Sequence, residues 1–178
     1  MAVLRAGANV DAFTRRPVFG LDVVVPPSSR PMVLCFVRSL SNPLTREALA
    51  ILQRHWPRFD VEGVTVAAVT DSALSVAQDF VPRYHVLFPV ICDPEHELFS
   101  AFEVGGDEAL VGTVRALAQG GVRNAVRALR HGHGPLERKQ LKLPAEFVVA
   151  PDGRLLYSRY GRSMTDVPDV DELLAACC

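Results

Sequence analysis

Residues 33–37, "VLCFV", form an unbroken apolar run rich in strand formers, the pattern of a strand covered on both faces. Asn42-Pro43 then reads as an N-cap followed by a first helical residue: the amide accepts from an orphan N–H, and the proline removes a donor with no helical partner. Leu44, Ala48, Ile51 and Leu52 recur at helical spacing, and Pro57 predicts that this helix ends or kinks there. Residues 64–70, "VTVAAVT", repeat the buried-strand pattern. Asp71-Ser72 follows as a cap signal for a helix with Leu74, Ala77, Val81 and Tyr84 along one stripe. A third strand is predicted at 88–92, and Asp93-Pro94 opens a short helix that turns Leu98, Phe99 and Phe102 inward. Such alternation predicts an α/β sheet with parallel pairing.

Beyond Gly105-Gly106 the pattern changes. From Val114 to Lys142 the chain carries seven Arg or Lys and one acid, Glu137; Arg123, Arg127 and Arg130 share one helical face, and Val122, Val126 and Leu129 another. This reads as a basic amphipathic helix interrupted at Gly120-Gly121, either a solvated face or a contact surface for an anion or partner. "EFVVA" and "RLLYSRY", joined by Pro151-Asp152-Gly153, predict an antiparallel hairpin, because Asp-Gly supplies the positive φ of a tight turn. Asp169 with Glu172 makes a capping box for a last helix carrying Val170, Leu173 and Leu174.

Composition narrows the class without naming it. At 178 residues and 49% hydrophobic, one domain with a sizeable core is expected, comprising an N-terminal extension at 1–16 and a helical insert at about 106–142. A net charge of −1 gives no reason to expect a nucleic-acid partner, and no run suits a signal peptide or membrane span, so the reading is cytoplasmic. Cys35, Cys92, Cys177 and Cys178 lack zinc-ligand spacing, and His131 and His133 have no thiolate or carboxylate cluster beside them; no metal site is expected. Cys35 reads as an inert core thiol. Cys92 reads as a packed residue or a thiol activated by the cap that follows it.

The blocks "RPMVLCFVRSLSNPLTREALAIL", "VTVAAVTDS", "FPVICDPEHELFSAFEV" and "LKLPAEFVVAPDGRLLYSRYGRSMTDVPDVDELLAA" resemble, in that order, the peroxiredoxin-like AhpC/TSA family. The likeness is to the branch of selenoprotein U and prostamide/prostaglandin F synthase, and the basic insert is similar to that branch as well. The resemblance implies a thioredoxin-like, peroxiredoxin-like fold: a mixed central sheet flanked by helices, with the helical insert before the C-terminal hairpin. Family members place Cys-x-x-Cys-Arg-Glu at the start of the first long helix. Here that stretch is Asn42-Pro43-Leu44-Thr45-Arg46-Glu47, which keeps Arg46 and Glu47 and replaces both thiols. Where ordinary peroxiredoxins carry an Arg before the hairpin this chain has Leu143-Pro144, and Pro144 resembles the cis-proline that faces the active-site turn in thioredoxin-like proteins.

A helix N-terminus favours thiolate, but an amide and a hydroxyl gain no such nucleophilicity from it. Ordinary peroxidase activity is therefore not expected at this turn. Asn42 and Thr45 read either as a cap and a first-turn polar residue or as pocket floor, with backbone N–H groups able to hold a carboxylate, phenolate or enolate oxygen. Arg38 leaves the buried strand beside them and suits an anionic group. The expected site is Asn42, Thr45 and Arg38 as the chemical groups, with Ser39, Ser41, Pro144 and Cys92 contacting a small apolar molecule that carries an acidic or enolisable group. Non-redox conversion without a cofactor is the expected activity, by isomerisation, cyclisation or elimination. Asp71, Asp93, His55 and His85 are the further proton-transfer candidates. Two other readings stay open: a relocated thiol reaction with Cys92 attacking and Cys177 or Cys178 resolving, and a binding module that uses the basic helix. A homodimer is an open assembly.

Overall fold

The structure, a computed structural model, describes residues 3–105, 126, 130, 143–163 and 165–178. Apart from Val126 and Arg130, the expected basic helix and the His131/His133 pair lie outside the described residues. The described chain runs β1 (Phe13–Arg15), β2 (Val23–Val25), β3 (Met32–Val37), α1 (Pro43–Val61), β4 (Thr65–Thr70), α2 (Leu74–Arg83), β5 (Val90–Cys92) and α3 (Glu97–Ala101), then β6 (Ala145–Val149), β7 (Leu155–Tyr160) and α4 (Val170–Cys177).

Five strands form a mixed sheet in the order β5-β4-β3-β6-β7, flanked by helices as expected. β3, β4 and β5 are parallel because helices return the chain between them, whereas β6 pairs antiparallel with both β3 and β7. The register aligns Ala68, Cys35, Glu146 and Arg159 in one row across four strands. Side chains alternate between faces. One face meets α1, α2 and α4 through Val33, Cys35, Val148, Leu52, Phe59, Phe80 and Leu173; the other meets α3 and β2 through Leu34, Phe36, Phe147, Phe99 and Val25. Phe36 is the hub of that second face, with ring centroids 5.0 to 5.5 Å from Phe99, Phe102 and Phe147.

Four local expectations change. α1 runs past Pro57 to Val61, with Phe59, fully buried, anchoring the last turn. α2 is capped by Ala73 without a side-chain bond, not by Asp71-Ser72; Ser72 Oγ instead accepts from Leu40 N at 2.8 Å and joins the ends of β3 and β4. Of the expected α2 stripe, Leu74 and Tyr84 are exposed, and Phe80 joins Ala77 and Val81 in the core. Asp93 acts from further upstream than expected, accepting from Glu97 N and Phe99 N at the start of α3, whose N-cap position is His96.

The N-terminal stretch is part of the packing. Gly7 N donates to Leu155 O and Leu155 N to Ala8 O at one sheet edge, while Val18 N donates to Val90 O at the other. Val10 and Phe13 lie between these points, and Leu4 before them, against the second core face, so the segment straps the sheet from β7 to β5.

Candidate functional site

The turn from β3 into α1 is built by its own side chains. Asn42 sits in extended backbone and its Oδ1 accepts from Leu44 N at 2.8 Å, so it is an N-cap. Ser39 Oγ accepts from Ser41 N, Ser39 O from Asn42 N, and Ser72 Oγ from Leu40 N. Backbone donors at positions 40, 41, 42 and 44 thus each have an acceptor within the fold. The cap and the two serines thus take up four of the turn's N–H groups. Arg46 locks the same turn from α1, donating from Nε to Leu40 O at 2.8 Å and from Nη1 to Tyr84 OH at 3.1 Å, with its guanidinium over the Phe80 and Tyr84 rings.

Thr45, one turn into the helix, is 4% exposed. It lines a cavity with Val37, Arg38, Leu44, Ala48, Pro144 and Asp166 whose free volume is about 10 Å³. That is room for about one water molecule, since ~10–15 Å³ of such space is the minimum for one. A small molecule would not be enclosed by it; at most one small group of such a molecule could enter. Arg38 is 8% exposed, and burial lowers its pKa while the Asp71 carboxylate works to raise it. Asp166 faces the same cavity, its carboxylate oriented by Arg162 N at 2.7 Å and Ser163 Oγ at 2.8 Å. A guanidinium and a carboxylate on one small cavity suit a neutral hydroxyl, which accepts from one and donates to the other, better than an anion.

Pro144 lines the cavity, with its carbonyl accepting from Gly161 N at 2.7 Å as the β6–β7 ladder continues beyond Ala145 and Tyr160. Among the described residues the cis peptide is Val25–Pro26, not Leu143–Pro144. Cys92 is not at the cavity. It pairs with Thr70, which pairs with Val37, so two strand spacings of about 4.8 Å each separate Cys92 from β3. Ser39 and Ser41 belong to the turn's internal bonds rather than to the cavity lining. Cys178 meets Pro57, Arg58, Val61 and Glu62 at the last turns of α1, which lead into the start of β4, whereas Cys92 faces the end of β4. Cys92 and Cys178 therefore stand toward opposite ends of that strand, on the order of 16 Å apart along it. Burial pushes the Cys177 thiol up to about 11, with Cys178 adding to it, and pushes Cys35 well up, reinforced by Glu146.

Of the proton-transfer candidates, Asp71 lies 4.0 Å from His96 Nε2, and Asp93 is spent on α3. His55 and His85 are not among the residues that line the cavity. Among the described residues no three His, Cys, Asp or Glu side chains gather where they could hold a metal ion.

Sequence reasoning missed Glu146, Arg159 and Asp166. Glu146 interrupts the apolar face of β6, is 2% exposed, and meets Arg159 Nε at 2.9 Å; Arg159 Nη2 donates to Val167 O at 2.6 Å. Burial raises the Glu146 pKa, Arg159 opposes it, and the charges of Asp166 and Glu172 add to the rise. For Arg159 burial acts downward, but the Glu146 bond and charge, with Tyr157 and Asp166, leave it raised. A Glu within an otherwise apolar strand was the available signal.

Residues 24–158 match the model of the AhpC/TSA family. No curated protein matches the chain. Solved structures share the fold. Peroxidoxin BcpB from Mycobacterium tuberculosis is 17% identical with a TM-score of 0.68, covering 98% of this chain and 96% of that one. A cysteine-to-serine mutant of peroxiredoxin Q from Xanthomonas campestris is 18% identical, with a TM-score of 0.63 and coverage of 92% and 88%. A peroxiredoxin-like protein from Aquifex aeolicus is 15% identical, with a TM-score of 0.66 and coverage of 98% and 86%.

Proposed function

The chain belongs to the AhpC/TSA family, and from that premise we propose that it is a member without a thiol at the start of α1, one that holds the hydroxyl end of a small molecule beside Thr45 instead of reducing peroxide there. The order of motifs from Arg38 to Glu47, together with the basic insert, supports a place near the selenoprotein U and prostamide/prostaglandin F synthase branch. The observation that carries the reading is the make-up of the cavity: Thr45, Arg38 and Asp166 around a volume of about 10 Å³, with the N–H groups of residues 40, 41, 42 and 44 bonded within the fold. A phenol or enol oxygen can enter, donating to Asp166 and accepting from Arg38, while the apolar body of the molecule stays outside. Any conversion would use these side chains for proton transfer, with no oxidant required.

Phenol, benzoate and benzene as probes separate the possibilities. Phenol is expected to shift the Thr45 and Asp166 amide resonances and to raise the melting temperature, benzoate to do so less because Asp166 repels it, and benzene not at all. Thr45→Val and Arg38→Met should each abolish the phenol shift. Equal responses to all three probes, or a phenol shift that survives both variants, would overturn the reading. Hydrogen peroxide should be consumed no faster by the protein with a dithiol reductant than by the dithiol alone.

A further inference from the structure

The row beneath the cavity contains an ion pair that the proposed binding step does not use. Cys35, Glu146 and Arg159 lie side by side on β3, β6 and β7, and residues 37 and 144, two positions nearer the end of the sheet, already line the cavity. Glu146 is 2% exposed at its side chain and Arg159 30%. Arg159 bridges two levels, bonded to Glu146 within the sheet and to the carbonyl of Val167 in the segment that follows β7. That carbonyl is next in the chain to Asp166, the acidic wall of the cavity.

We propose that Glu146 and Arg159 are the positioning pair of the Thr45 cavity and that proton uptake by Glu146 releases its Asp166 wall. This rests on reading the cavity as a binding site. The charged and titratable groups acting on Glu146 come from each neighbouring element: Cys35 on β3, Arg159 and Tyr157 on β7, Asp166 after β7, and Glu172 on α4. One guanidinium therefore holds together an acid that burial and two further carboxylates already dispose to take a proton. When Glu146 accepts a proton from solvent, the charge-assisted bond becomes an ordinary one. A long, partly exposed arginine side chain then gains more freedom from leaving than it loses in bonding, and Val167 O loses its donor.

The test is an amide and side-chain carboxyl NMR titration of the full chain from neutral to acid pH. The amides of Thr165, Asp166 and Val167 are expected to shift together with the Glu146 carboxyl, at a midpoint above that of exposed glutamates. In Glu146→Gln that shared transition should vanish. Loop amides that follow no carboxyl, or a transition that survives in Glu146→Gln and so belongs to Asp166 itself, would overturn the proposal. If that variant does not fold, the coincidence of midpoints in the unmutated protein decides. Phenol binding measured alongside keeps the two readings apart: absence of phenol binding defeats the cavity's function, and the titration still decides the positioning pair.

Discussion

Asn42 has one side-chain oxygen to offer, and Leu44 N has taken it. A cap and a ligand contact would draw on the same amide, and its role can be separated by energy and by occupancy. Asn42→Ala should lower stability in urea unfolding by about 1 kcal/mol, the usual cost of losing a cap, and Asn42→Ser should restore most of it. Neither change should alter phenol binding, because the cavity is lined by Thr45 rather than Asn42. Thr45 could be read from the sequence as lying at the helix start, and so could the loss of sulfur there. Asp166 could not, since only the closure of β7 against β6 brings it 121 positions back along the chain to residue 45. Glu146 and Arg159 also stood in plain view, but their meeting depends on a register set by the hairpin and its irregularity at Val148/Val149.

At the scale of elements, long apolar runs identified β3 and β4 correctly, because burial on both faces leaves no alternation to misread, and the Asp152-Gly153 turn identified the closing hairpin. The pair β1 and β2, three residues each, gave too short a pattern to recognise. Proline misled at one place: Pro57 lies inside α1, where tertiary burial at Phe59 outweighs the lost hydrogen bond, whereas the stripe read through Pro82 does form one helix. The junction of β6 with the segment after β7 depends on Gly161, where an added Cβ would stand 2.8 Å from Pro144 Cγ and 2.9 Å from its carbonyl oxygen. Gly161→Ala should therefore destabilise the protein by roughly 1–3 kcal/mol, the range for overpacking, and shift the Asp166 amide resonance. A melting curve equal to the unmutated protein's would show that the contact is relieved at no cost.

Across the whole molecule, the fold follows from where helices return the chain, while its pH response follows from one buried row. Glu146 has its pKa raised by folding, so the folded state binds its proton more tightly than the unfolded chain. The associated stability is fully present below the ordinary glutamate value of about 4.3 and is lost as pH rises through the raised folded value. Unfolding free energies measured along that window should decline with pH in the unmutated protein and decline less in Glu146→Gln; parallel curves would show that Glu146 ionises as an exposed group does.

The strap from Gly7 to Val18 has a consequence for company rather than for chemistry. A five-stranded sheet that is not closed into a barrel ends in two ladders of unanswered amides, each an invitation to a neighbour's backbone. By answering β7 at Leu155 with Gly7 and Ala8 and β5 at Val90 with Val18, one short stretch occupies part of each flank, and a protein cut between Val18 and Val23 should associate through those edges more readily than the intact chain.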